Sequence, residues 1–243
     1  MQILISDQNF GGDARLEREV AEAVGVEVTV ASCRDEADVA DALERHRPDV
    51  LLVQFAPVGR RALASAHGRG GIVLHGAGVD NIDLMAATER GIAVARIPDY
   101  CLDEARSMRT VPSRDRWRPF SATRMCSRST RLSRIRRAVC WMRARSSSYT
   151  RGAIVVNTAR DGIVDENALV DAVASGRLRG AALDVLEDEP PAPDDALRRM
   201  PGIVLTSHAA WYSQEAIADL RQKAIETALA LARGERPAGL VNA

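Results

Sequence analysis

The sequence predicts an α/β protein whose parallel sheets are covered by helices and divided between two lobes. Three observations lead there. In the N-terminal part of the chain, five short β-rich runs alternate with helical stretches. The same alternation resumes after a central Arg-rich block. A chain of 243 residues with 46% apolar content can bury one large core or two smaller ones. Strands that alternate with helices need crossovers, which pair the strands in parallel and lay helices on the sheet faces.

The first strands are expected at Gln2–Ser6, Glu27–Ala31, Val50–Gln54, Gly71–His75 and Ala93–Arg96, short runs of β-branched and apolar residues. Between them, Ala14–Ala23, Glu36–His46 and Asp83–Arg90 have the periodicity of helices. Beyond the block, Ala153–Asn157 reads as a strand, Glu166–Ser175 as a helix, and Ala181–Val185 and Ile203–Thr206 as strands. A last amphipathic helix is expected over Gln214–Arg233, with Ser213 as its N-cap and Gly234 closing it.

The net charge of zero conceals an uneven distribution. Between Arg106 and Arg151 fourteen Arg face a single acid, Asp115, so the rest of the chain is strongly acidic. Arg in such a block can neutralise phosphates while Trp117, Phe120 and Trp141 stack on bases. A nucleic-acid partner is nevertheless the weaker reading, because Lys223 is the chain's one Lys and Arg without Lys also follows from GC-rich coding. Cys33, Cys101, Cys126 and Cys140 have no ligand-like spacing, which argues against a zinc site or a disulfide framework and for reduced thiols. No metal is expected. The N-terminus lacks a leader pattern, and no apolar run approaches the roughly 18 residues of a membrane span, so a soluble cytoplasmic protein is expected, with no membrane partner.

Four stretches carry potential chemistry. In "HGAGVDNID", the small residues Gly76, Ala77 and Gly78 follow a strand and let backbone N–H groups approach an anion. An ordinary tight strand-to-helix turn would look the same. In "VVNTARDGIVDENAL", Arg160 lies just past a strand's carboxyl end, where open α/β sheets place their ligands, and a guanidinium there can grip a carboxylate in bidentate fashion. It could equally be a surface Arg. "LDVLEDEPP" sets Asp184 at a strand end and Glu189 before two prolines, and "LTSHAAWYS" sets His208 after a strand with Trp211 three residues on. A carboxylate such as Glu189 on one nitrogen of His208 would fix the tautomer and leave the other nitrogen to exchange a proton. By spacing alone, His208 could also be a structural histidine.

Taken in order, "HGAGVDNIDLMAATERGIAV", "IPDYCLDE", "GAIVVNTARDGIVDENALVDAVASGRLRGAALDVLEDEPP" and "LTSHAAWYSQEAI" resemble the D-isomer-specific 2-hydroxyacid dehydrogenases, of the phosphoglycerate dehydrogenase-like kind. "PDYCLDE" and "HAAWYS" are similar to the branch that includes the C-terminal-binding-protein corepressors. The resemblance covers nearly everything except Arg106–Arg151. It implies a flavodoxin-like substrate lobe, residues 1–104 completed by the C-terminal helix 214–243, and a truncated Rossmann-type doubly wound lobe at 152–213. Residues 105–151 form the aberrant Arg/Ser-rich segment between them. It also implies an oxidoreductase acting on a D-2-hydroxy acid, or on the 2-oxo acid in reverse, with NAD or NADP as cofactor and a homodimer as the assembly. Carried over, Arg160 binds substrate, His208 is the acid/base and Glu189 its partner. Gln54, Phe55, Ala56, Gly76, Ala77 and Gly78 offer backbone N–H groups to the substrate carboxylate, and Trp211 closes the pocket. Asn157, Thr158 and Ala159 lie along the cofactor, and Asp184 faces its carboxamide.

One part of the pattern is missing. After "PDYCLDE" the family continues with a helix, a strand leading into G-x-G-x-x-G and an acidic residue about twenty positions on. None of these appears, and about fifty residues separate Tyr100 from Gly152 where the family uses well over a hundred. The genetic code supplies a reason. Trp141 and Met142 have unique codons, so a frame starting at the third base of each codon reads Asp at their junction. The neighbouring residues can then give a run approximating Leu-Leu-Asp-Ala-Arg-Ala-Leu-Leu-Glu-Leu-His-Pro, which the family would have before this strand. An out-of-frame, internally deleted segment is therefore expected, leaving nucleotide binding and activity impaired. An inactive remnant or a corepressor-like binding module is the alternative. The family's dimer contacts lie largely on the lost half, so dimerisation is not expected to survive.

Overall fold

The structure is a computed structural model that describes residues 1–8, 13–66, 70–101, 120–121 (backbone only) and 151–242. The chain divides into two compact units, Met1–Cys101 with Ser213–Ala243, and Leu102–Tyr212. Both are parallel-sheet α/β structures, the class the sequence predicts.

The first unit holds β1 (Gln2–Ile5), β2 (Glu27–Val30), β3 (Val50–Val53), β4 (Gly71–Leu74) and β5 (Ala93–Arg96), all parallel in the order β2-β1-β3-β4-β5. This is the flavodoxin-like order, and the direction of winding reverses beside β1 and β3. β3 (VLLV) and β4 (GIVL) are buried at every position, as strands covered on both faces must be. Helices α1 (Arg15–Glu22), α2 (Glu36–His46), α3 (Arg60–Ala64) and α4 (Leu84–Glu89) join them. Val39, Leu43, Leu63 and Ala87 pack with Leu51, Ile72 and Val94 in one core. The side chains of Asp35 and Asp83 cap α2 and α4 by accepting from the third residue on, Asp38 N–H and Ala86 N–H. The short α3 is anchored from α2, because the Glu36 carboxylate accepts from Arg61 N–H (2.9 Å) and Ala62 N–H (3.2 Å).

The C-terminal part of the chain belongs to this unit. Ser213 caps the long C-terminal helix, Gln214–Ala232, which buries Leu220, Ala224, Ile225, Ala228 and Leu229. A Cβ on Gly71 would lie 2.5 Å from Leu231 Cδ1, so the glycine lets Leu231 of this helix pack directly on β4. The helix is tied to α1 by Arg221, whose Nε and Nη2 reach the two oxygens of the fully buried Glu17 carboxylate at 2.7 and 2.6 Å. Past Gly234, the tail covers the open edge of β5: Arg96 N–H donates to Gly239 O, Val241 N–H to Val94 O, and Val94 N–H to the Asn242 side-chain oxygen.

The second unit holds β6 (Phe120–Ser121), β7 (Ala153–Asn157), α5 (Glu166–Ala174), β8 (Leu178–Leu183), α6 (Ala196–Arg199) and β9 (Ile203–Leu205), with the C-terminal helix Gln214–Ala232 becoming α7. The sheet order is β6-β7-β8-β9, all parallel. Its core includes Val155, Val164, Leu169, Leu178, Leu183 and Leu197. Two features differ from the sequence expectation. β8 begins at Leu178 rather than Ala181 and ends at Leu183 rather than Val185. Gly176, at φ +67°, turns the chain out of α5 directly into pairing of Leu178 with Ala153, and Gly180 allows the Gly202 carbonyl an approach that a Cβ would block. At the other end, Asp184 N–H bonds to Asn157 O past the last ladder pair. Second, Phe120–Ser121, inside the Arg-rich block, pair with Val155–Val156 of β7. The remainder of the expected aberrant segment, apart from Arg151, lies outside the described residues. Among the described residues no helix is long and apolar enough to cross a membrane.

Candidate active site

In the second unit the carboxyl ends of β7, β8 and β9 are laced together. Asn157, at the end of β7, is buried and closes its own turn: its Nδ2 donates to Arg160 O (2.8 Å) and its Oδ1 accepts from Ala159 N–H (3.2 Å). Its carbonyl accepts from Asp184 N–H, and the Asp184 carbonyl accepts from His208 N–H (2.9 Å). A continuous chain of hydrogen bonds therefore joins the Arg160 turn to the His208 turn. Arg160 itself is partly buried, and its Nη1 donates to the Ala159 carbonyl.

His208 and Glu189 meet as expected from their chemistry, with Nδ1 of the imidazole 2.9 Å from Oε2 of the carboxylate. The other carboxylate oxygen accepts from Leu186 N–H (2.9 Å), so the acid is aimed by its own loop. A carboxylate can only accept, so the proton on this contact resides on Nδ1, and Nε2 is the nitrogen left to work. Among the described residues nothing bonds to Nε2. The pair is partly open to solvent, with side-chain exposures of 43% and 38%. His208 has φ +54°, in the left-handed region, where a non-glycine residue is held at a cost of about 1–3 kcal/mol. Trp211 lies beside it, with its indole N–H on the His208 carbonyl (3.0 Å) and its ring edge-to-face with Tyr212.

The group that holds His208 in this conformation is Asp184. Its carboxylate, 4% exposed, accepts from the Thr206 hydroxyl and from the backbone N–H groups of Ala209 (2.9 Å) and Ala210 (3.0 Å). Three donors from one short loop converge on it. Thr206 was not marked by the sequence, although a hydroxyl two residues before the His was its only available signal.

In the first unit the two loops expected to bind a carboxylate differ. The N–H groups of Gln54, Phe55 and Ala56 all donate to the Asp7 carboxylate, at 3.0, 2.6 and 3.1 Å, and the Ser6 hydroxyl joins them. Asp7 thus occupies the donors of that loop. The sequence had not singled it out, and its position one residue beyond the first strand's Ser6 was the available signal. The Gly76–Gly78 loop has no such internal acid among the described residues. His75 is buried immediately before it, and burial, aided by the Arg221 charge, pulls its pKa from 6.5 down to about 3, so the ring is neutral.

Residues 142–210 match the family model of the D-isomer specific 2-hydroxyacid dehydrogenase NAD binding domain. Over these residues the chain is similar to the NAD binding domain of the D-isomer-specific 2-hydroxyacid dehydrogenases. A glyoxylate reductase of Korarchaeum cryptofilum is 45% identical over 92 residues, 38% of this chain and 28% of that protein. The match thus spans less than a third of that relative's length. The fold likeness is broader: the TT0316 protein of Thermus thermophilus is superposed over 99% of this chain and 100% of its own at TM-score 0.75 and 22% identity. A D-lactate dehydrogenase of Aquifex aeolicus, solved with NAD and lactic acid, covers 97% of this chain and 96% of its own at TM-score 0.68 and 17% identity. The dehydrogenase family's cofactor is NAD(P). The described residues that the family sets along this cofactor make hydrogen bonds of their own. Asn157 spends its amide on its own turn, Asp184 is committed to the 206–210 loop, and the sequence has no glycine-rich loop to bring backbone N–H groups to a phosphate.

Proposed function

We propose that this chain derives from an NAD(P)-dependent oxidoreductase that interconverts a D-2-hydroxy acid and its 2-oxo acid, and that it keeps the proton-handling part while nucleotide binding is impaired. The observation that carries this reading is the His208–Glu189 pair. With Nδ1–H held on Glu189, a protonated His208 presents Nε2–H as the acid for the oxygen of a 2-oxo group, and a neutral His208 can take that proton back. Arg160 would grip the substrate carboxylate, Trp211 would border the substrate, and Asn157, Thr158, Ala159 and Asp184 are the positions the family sets along its nicotinamide cofactor. The substrate lobe is assigned to the first unit. The impairment follows from the missing glycine-rich loop and from an Arg-rich segment that reads as an out-of-frame, shortened remnant of the family's nucleotide-binding half. The chemistry assigned to these residues stops at proton transfer, because the sequence has no glycine-rich loop to hold the dinucleotide's pyrophosphate.

Titration of the purified chain with NADH, followed by nucleotide fluorescence and by 2-oxo-acid-dependent loss of absorbance with glyoxylate and pyruvate, tests the reading. No saturable binding in the micromolar range and no turnover are expected. Saturable binding with turnover would show a working dehydrogenase and remove the impairment. Sequencing the gene and comparing its frames across Arg106–Arg151 tests the origin of the block independently.

A further inference from the structure

We propose that Glu166 is a positioning residue for the His208–Glu189 pair, holding from the first turn of α5 the loop that aims Glu189. The inference deepens the proton-handling reading and rests on it, but it needs neither nucleotide nor substrate. In the loop that follows β8, two consecutive backbone N–H groups are each taken by a carboxylate. Leu186 N–H donates to Glu189 Oε1 (2.9 Å), and the other oxygen of Glu189 meets His208 Nδ1 (2.9 Å). Glu187 N–H donates to Glu166 Oε1 (2.8 Å), twenty-one residues back in the chain. The two peptides are planar and share the Cα of Leu186, so once the second is fixed the first can turn only about the two soft dihedrals of that residue. Leu186 is itself buried in the core of this unit, which anchors the shared Cα as well. With Glu187 N–H held, Leu186 N–H stays aimed at Glu189. On the far side of Glu189 the Arg198 guanidinium, from α6, donates to Pro191 O (3.1 Å). Glu189 is thus bracketed by one side chain from α5 and one from α6.

A carboxylate is electrostatically unfavourable in this place. Glu166 is partly buried, and burial pushes its carboxyl up from the ordinary value; the bond from Glu187 N–H draws it down, and the charges of Glu187, Asp195 and Asp188 push it up again. A first-turn acid favours the N-terminus of α5, but that needs no particular reach, and the N-cap Asp165 already accepts from Ala168 N–H (3.0 Å). The length of Glu166 supplies what the helix does not require, an acceptor that spans from α5 to the Glu187 peptide.

The test uses the full 15N-labelled chain without ligands, with the His208 ring nitrogens recorded while the ring is neutral and backbone amide exchange followed in parallel. The wild-type chain should show His208 as the Nδ1–H tautomer and a protected Leu186 amide. Glu166→Asp keeps the charge and the first-turn acid but withdraws the carboxylate by one methylene. The Leu186 and Glu187 amides should then lose about tenfold of protection, the effect of losing one charge-assisted bond, and the Nε2–H tautomer of His208 should appear. Glu166→Gln keeps both reach and an acceptor, and should hold the Nδ1–H tautomer with protection within about threefold of the wild-type chain. Glu166→Ala should lose at least as much as Glu166→Asp, and if it does not fold, Glu166→Asp carries the test. The Ala209 and Ala210 amides, which bond to Asp184, should keep their protection throughout, separating a loss of aim from a loss of stability. An unchanged His208 tautomer in Glu166→Asp, or losses in Glu166→Gln as large as those in Glu166→Asp, would overturn the proposal. A wild-type chain without the Nδ1–H tautomer would overturn the proton-handling reading along with it, whereas a wild-type tautomer that the Glu166 variants leave in place sinks this inference alone.

Discussion

Asp184→Asn should release the His208 loop, because the carboxylate is the loop's principal internal partner. Oδ1 accepts from the Thr206 hydroxyl and Ala209 N–H, and Oδ2 accepts from Ala210 N–H. An amide in the same place keeps one acceptor oxygen and points an NH2 group at whatever faced the other. If the oxygen stays with Ala209, the Ala210 N–H is left buried against a donor, which costs about 1–3 kcal/mol. The two bonds that remain lose their charge assistance, and the total reaches about 3 kcal/mol. That is as large as the cost of about 1–3 kcal/mol for keeping His208 at φ +54°. His208 should then relax out of the left-handed region and leave Glu189. Hydrogen exchange reads the change directly: the Ala209 and Ala210 amides should lose about a hundredfold of protection while those of β7 and β8 keep theirs. Unchanged exchange at both alanines, with the His208–Glu189 bond intact, would refute the assignment of Asp184 as the anchor.

Three further outcomes are expected. With its pKa lowered to about 3 by burial, His75 stays neutral in the folded chain, whereas the unfolded chain protonates it below about pH 6.5. Its contribution is therefore intact above that pH and is lost as pH falls toward 3, amounting to about 2.5 kcal/mol between pH 7 and 4.5. Urea titrations at these two pH values should show a correspondingly smaller difference in His75→Gln, and an equal difference would contradict the account. Arg221→Met strands the fully buried Glu17 carboxylate and should cost about 3–5 kcal/mol of stability, with part of it recovered when Glu17→Gln is added. Urea midpoints of the single and double variants decide this. Glu189→Gln lets an amide NH2 face the ring, so 15N spectra should show the Nδ1–H tautomer of His208 in the wild-type chain and its loss in the variant.

The parts of the fold legible in the sequence are those with strong patterns. β3 and β4 are continuous apolar runs because both faces are covered, and α2, α4 and α7 carry capping side chains that mark their starts. The short helices α3 and α6 have too few residues to show a period, and α3 depends on Glu36, a residue from another helix. The start of β8 was hidden because Arg179 and Gly180 interrupt the apolar run, and the glycine is explained only by the close Gly202 carbonyl. The His208–Glu189 pair was readable as chemistry, since a His needs an orienting acid. Asp7 was not, because its partners lie 47 to 49 residues away and only the sheet brings them together.

The His208–Glu189 pair is built locally. Glu189 is aimed by Leu186 N–H, three residues before it, and His208 is set by Asp184, Thr206, Ala209 and Ala210. Every one of these bonds lies between Asp184 and Ala210, on the ends of β8 and β9, and none draws on the segment that precedes β7. A shortened or misread stretch before Gly152 could therefore lack phosphate-binding backbone without disturbing the His208–Glu189 pair. The same independence limits what the pair signifies, because a His–Glu geometry that needs nothing from the nucleotide-binding loop persists whether or not that loop works. Turnover must accordingly be judged from nucleotide binding, and the site's integrity from the exchange of Ala209 and Ala210.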